Sequence, residues 1–139
     1  MNTSDLKICI LDLETLLSLN IIGGYIPHED KWIMYELSHR KNELDGAVKW
    51  ILESDIDYWV TYNGVRFDLQ VLQYIIDNYQ EWYNNTTKDV LKNIYTFVQE
   101  IINNQDYGIA PPYKEYYMDM KTIDLMLLLH YDNDAKLTS

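Results

Sequence analysis

Basic residues are scarce in this chain of 139 residues. Lys and Arg number 11 against 22 Asp and Glu, for a formal charge of −11 and a pI near 4.5. Surfaces that grip long nucleic acids unaided are rich in Lys and Arg, so a tight, self-sufficient hold on such a polymer is excluded. Two sources of the acid excess stay open: carboxylates that await a bound cation, and a surface with weak affinity for polyanions. Cysteine is nearly absent. Cys9 stands alone inside an apolar run, which allows no intrachain disulfide and fits a reducing compartment. Five glycines and three prolines supply no Gly/Ser linker, and neither repeats nor low-complexity tracts occur. No apolar run is long enough to span a bilayer. The N-terminus, with Asp5 and Lys7, lacks the basic and apolar regions of a secretory signal. A soluble, cytoplasmic protein with one domain over residues 1–139 is the expectation, large enough for a single core. Arginine is rarest of the cations, and with abundant Asn and Ile this bias fits an AT-rich genome, viral or low-GC bacterial.

What the chain has is clear hydrophobic patterning. Residues 7–13 (KICILDL) read as a central strand, and 20–27 and 31–37 as two more, separated by the turn-forming His28-Glu29-Asp30. A hairpin beside the first strand follows. Leu44, Val48, Ile51 and Leu52 recur at helical spacing, and 58–62 (YWVTY) is a short strand ended by Asn63-Gly64. A helix from Phe67 to about Tyr79 carries Leu69, Leu72, Ile75 and Ile76 on one face. Thr86 or Thr87 caps the next helix, whose stripe is Val90, Leu91, Ile94, Phe97, Val98 and Ile101. Residues 103–112 read as a loop, 116–120 as a fifth strand, and Thr122 as the cap of a final helix. The order β-β-β-α-β-α-α-β-α describes an α/β domain with a mixed sheet and flanking helices. The end at Lys136-Leu137-Thr138-Ser139 reads as truncated within a further element.

Two short acidic motifs carry the chemistry. Asp12 and Glu14 lie one residue apart on the first strand, so both side chains leave the same face. Their neighbours are apolar, and two adjacent carboxylates resist joint ionisation unless a cation is present. A hard divalent ion with oxygen ligands meets that need. On its own, Asp-x-Glu fits equally well a strand end with two solvated acids. The second motif is Asn63-Gly64-Val65-Arg66-Phe67-Asp68. Gly64 permits a tight strand-to-helix turn, and Asp68 falls in the first helical turn, where a carboxylate also suits the helix dipole.

Asp12-x-Glu14 followed by Asn63-x-x-x-Phe67-Asp68 resembles the DEDD-type, DnaQ-like 3′→5′ exonucleases of the proofreading kind. The resemblance covers roughly residues 7–130 but rests on about ten positions. It implies an RNase H-like fold and hydrolysis of the terminal phosphodiester of a DNA 3′ end, with two Mg2+ or Mn2+ ions. Asp12 would bridge both ions, Glu14 would bind the ion that activates water, and Asp68 would help hold the second. Asn63 would touch the terminal nucleotide or its phosphate. Phe67 would pack behind the site or wedge near the last bases, while Leu13 and Thr15 would border the terminal sugar and base. Such contacts carry little sequence specificity. The implied partners are the 3′ end of single-stranded DNA and a polymerase or other replication component, with no membrane.

The family's last motif departs from its pattern here. It requires a Tyr or His four or five residues before a final Asp, and His130-Tyr131-Asp132-Asn133-Asp134 offers a shorter His spacing too early in the chain. Asp119 and Asp124 resemble the segment ahead of that motif. Asp124 reads either as an acid bordering the site or as a structural cap, and His28 and His39 as surface residues. The chain is therefore expected to be weakly active or incomplete as an exonuclease. The alternative is a catalytically inactive module of a virus or mobile element that binds or builds structure on the same fold.

Overall fold

A computed structural model describes residues 6–129. The element order is β1 (Ile8–Leu16), β2 (Leu19–Ile26), β3 (Lys31–Ser38), α1 (Leu44–Glu53), β4 (Tyr58–Thr61), α2 (Asp68–Asn78), α3 (Thr87–Asp106), β5 (Thr122–Asp124) and α4 (Leu125–Leu129). The five strands form one sheet in the order β3-β2-β1-β4-β5. β1, β2 and β3 make an antiparallel meander, while β4 joins β1 and β5 joins β4 in parallel. The chain is thus a mixed α/β fold in the element order that the patterning dictates.

Alternation along β1 sorts its side chains. Cys9, Leu11 and Leu13 point into the core, while Ile10, Asp12, Glu14 and Leu16 point outward. The core face continues through Ile22, Leu37 and Trp59. α1 closes over it, with Trp50 edge-on to Trp59 at 5.2 Å between ring centroids. Gly24 makes room for that helix: a Cβ there would lie 2.8 Å from the Cys9 sulfur and 3.1 Å from the Trp50 ring. α3 packs on β1 and β3 and against α2. Its expected stripe of Val90, Leu91, Ile94, Phe97, Val98 and Ile101 is buried throughout. Thr86 caps it, accepting from the Asp89 N–H at 3.2 Å. Cys9 is a core residue whose thiol is pushed up to about 11 by burial, in keeping with no chemical role.

Three local expectations need correction. α3 runs on through residues 103–106, so the following loop starts later than the composition suggests. Residues 116–120 are not a strand: Glu115–Tyr117 is a 3-10 turn, and the fifth strand is Thr122–Asp124. Pairing decides this, because the Trp59 N–H donates to the Lys121 carbonyl at 2.8 Å and the Thr122 hydroxyl to the Trp59 carbonyl at 3.0 Å. Thr122 therefore caps nothing. The helix after it begins at Leu125, where the Asp124 carboxylate accepts the Met126 N–H at 3.0 Å.

Candidate functional site

β1 outruns its parallel neighbour. β4 pairs with it only over residues 8–10, so the β4 side of β1 is left without a strand from Leu11 onward. The Asp68 carboxylate lies near the Leu13 backbone on that stretch and within reach of the charges of Asp12 and Glu14. Asp68, the first residue of α2, is thus set beside the strand that carries both acids. The two acids project on one sheet face, both exposed, and Asp68 is 9% exposed beside them. Three carboxylates from two separate motifs are thereby gathered at one end of the sheet.

The turn that delivers Asp68 has its own logic. Asn63 takes the left-handed conformation, with φ of 61°, a region that Asn tolerates better than most residues. Gly64 is required for space rather than for unusual dihedrals, because a Cβ there would overlap the Thr61 side chain. Asp124, at the end of β5, fastens this turn from the side. Its carboxylate accepts the N–H groups of Asn63 at 2.7 Å and Val65 at 3.3 Å, besides that of Met126. Of the two roles open to Asp124, the structural one is thus observed, and its charge also reaches Asp68. Its place just before a helix was the sequence signal for such bonding.

Electrostatics tie the group together. The Asp68 carboxyl is pushed up to about 7, first by burial and then by the charges of Asp12 and Glu14. The Leu13 N–H opposes the shift and Asp124 adds to it. A carboxyl in that position holds a proton or gains from a nearby cation. The donors are all hard carboxylate oxygens, a set that suits Mg2+ or Mn2+ over softer metals. Among the described residues, no group of three or more His, Cys, Asp or Glu side chains is placed to hold a metal ion. The fit is therefore one of donor chemistry and charge.

The other nominated residues fall in different places. The Leu13 side chain is buried in the core on the face opposite Asp12 and Glu14, which leaves its backbone on the side of the site. Thr15 shares that inward face and is half-buried. Asn63 is half-buried in the turn, and Phe67 packs against the core just before α2. Asp119 is held away from the acids by Gln73, whose amide nitrogen donates to its carboxylate at 2.8 Å. His28 and His39 are exposed. His130, Asp132 and Asp134 lie outside the described residues. No helix among the described residues is long and apolar enough to cross a membrane.

Known proteins add nothing to this geometry: no protein-family model, no curated protein and no solved structure matches the chain.

Proposed function

We propose that this chain is a metal-dependent 3′→5′ exonuclease domain with an RNase H-like fold, acting on DNA 3′ ends. The nearness of Asp68 to Asp12 and Glu14, whose charges help raise its carboxyl, carries the reading, since it draws the second acidic motif onto the first. An element order with an antiparallel meander joined to parallel β4 and β5 supports the fold assignment. Asp12, Glu14 and Asp68 are the residues that would hold Mg2+ or Mn2+. When bound, such ions supply a water of lowered pKa and charge stabilisation for the leaving 3′ oxygen. Asn63, at the mouth of the turn, would contact the terminal phosphate, and Phe67 would back the site.

A weaker reading, a nuclease-fold module that binds without turnover, is favoured by one observation. Asp124, the nearest further carboxylate, already accepts three backbone N–H groups, which leaves it little capacity for an ion. General-base help, absent among the residues gathered here, is worth about 10²–10⁴-fold. Two measurements separate the readings. Calorimetric titration with Mn2+ should give heat with the parent chain and none with Asp12→Asn. Incubation with 3′-labelled single-stranded DNA should then release mononucleotide slowly, and only with metal. Equal heats for parent and variant would remove the metal site. Metal binding without any release would leave the inactive module.

A further inference from the structure

Past the C-terminal end of α2 the chain makes a run of tight turns before α3. The Glu81 N–H donates to the Asn78 carbonyl at 2.9 Å, that of Trp82 to Tyr79 at 3.2 Å and that of Asn85 to Trp82 at 2.9 Å. These turns set Tyr79, Trp82 and Tyr83 beside the first turn of α1, and a pocket of about 260 Å3 lies between them. Asn42, Asp45 and Asn85 supply its polar lining. Trp82 is 8% exposed and packs against Tyr74, with ring centroids 5.6 Å apart, while Tyr83 is 76% exposed. Pockets for drug-sized ligands span about 300–1,000 Å3, so this one suits a single side chain or a compact head group.

Charge selects the guest. Asp45 is the one charged residue in the lining, and among the described residues it forms no ion pair. Lys49, one helical turn on, lines an adjoining hollow together with Glu53 and not this pocket. An anion is disfavoured even though α1 and α3 both begin here. The Leu44 N–H already donates to the Asn42 side chain at 3.3 Å and the Asp89 N–H to the Thr86 hydroxyl at 3.2 Å. Asp45 and Asp89 occupy the two first turns, where a carboxylate offsets the positive end of the helix dipole. By contrast α2 ends here with no basic residue in its last turn, and a helix C-terminus favours a cation. Aromatic rings add attraction for a cation, most strongly for a desolvated ammonium held among several of them.

We propose that this pocket binds a compact alkylammonium ion, with Tyr79, Trp82 and Tyr83 around its methyl groups and the Asp45 carboxylate as its counter-ion. The site lies beyond the end of α2 opposite Asp68, so it stands or falls apart from the exonuclease reading and needs no divalent metal. The test is therefore run in EDTA, by NMR at the tryptophan indole N–H signals. The probes are choline, inorganic phosphate and neohexyl alcohol, the uncharged isostere of choline with carbon in place of nitrogen. Choline should shift the Trp82 signal and leave that of Trp32, a ring 78% exposed elsewhere, unmoved. The isostere should bind more weakly by about tenfold or more. Asp45→Asn and Tyr83→Ala, both at exposed positions, should each weaken choline by about fivefold to tenfold. Asp45→Asn should leave the isostere unchanged. The amide of N-acetyl trimethyl-lysine separates the two sources of such a head group. Tighter binding than choline marks a polypeptide side chain, and weaker binding marks a free small molecule. Equal affinity for choline and its isostere overturns the proposal, since the pocket would then be merely apolar. So does a Trp82 shift driven by phosphate, or full choline affinity in Asp45→Asn.

Discussion

Asp68 is the residue on which chemistry and stability meet. Its carboxyl is raised from 3.8 to about 7 in the folded chain. Between those values the folded state holds a proton that the unfolded state has lost. Stability from this group is therefore greatest at low pH and falls as pH rises through the window, by up to about 1.4 kcal/mol per unit. Above about 7 the full penalty is present. Asp68→Asn removes the titration at nearly the same side-chain volume. Urea unfolding at several pH values from about 5 to 8 should show the parent losing stability relative to the variant as pH rises. Mn2+ at the upper end should recover part of the loss in the parent alone. Parallel pH profiles for the two proteins would show that burial and its acidic neighbours do not raise the Asp68 carboxyl. Much at this scale was legible in the sequence. The two-residue period of β1 put Asp12 and Glu14 on one face, and it equally required Leu13 to turn inward. That Leu13 borders the terminal sugar and base is implied by resemblance to a family alone. The Leu13 backbone was not foreseeable, because its value depends on β4 stopping short.

At the scale of elements, α2 works as a clamp as much as a core helix. Gln70 is fully buried, and its amide nitrogen donates to the Val65 carbonyl at 2.9 Å and the Tyr113 carbonyl at 2.7 Å. Its oxygen accepts the Tyr113 N–H at 2.9 Å. One turn on, Gln73 holds Asp119 through both backbone and side chain. The segment between Tyr113 and Asp119 is thus pinned at its two ends to the helix that presents Asp68. Gln70→Leu keeps the volume but strands three backbone groups, which should cost about 3 kcal/mol. Chymotrypsin should then cut faster in the tyrosine-rich stretch 107–117. Gln105→Ala removes only an exposed bond of 3.3 Å to the Arg66 carbonyl and should change stability by less than about 0.5 kcal/mol. Similar losses in both variants would refute the clamp. These glutamines also explain why the fifth strand was misplaced. Residues 116–120 look β-prone by composition, yet Asp119 within them and Tyr113 ahead of them are bound to α2. Thr122–Asp124, only three residues long, owes its strand character to β4 alone. By contrast β1 to β3 and the stripe of α3 carry their own periodicity, and pairing had nothing to overrule there.

For the molecule as a whole, charge governs encounter with substrate. A chain of net charge −11 repels a polyanion at long range, and salt screens that repulsion beyond about one Debye length, roughly 10 Å at 0.1 M. Near the carboxylates the sign is different once a divalent ion is bound, because the ion becomes the largest local charge. The proposed exonuclease domain should therefore bind a short single-stranded oligonucleotide weakly, and only with Mg2+ present. Added salt has two opposed effects: it eases the repulsion between like charges and it screens the attraction to the metal-loaded cleft. Repulsion is spread over the surface and is screened first, while attraction acts at contact, so in Mg2+ the net affinity should not fall as salt is raised to about 0.1 M. Fluorescence anisotropy with Mg2+ or EDTA at two salt concentrations reads both dependences. Tight binding in EDTA, or none with Mg2+ at high protein concentration, would count against a substrate cleft at Asp12, Glu14 and Asp68. Weak, metal-dependent binding would instead require another component to bring the strand end in. A polymerase or other replication protein with basic surface meets that requirement, since it would supply the cations that this chain lacks.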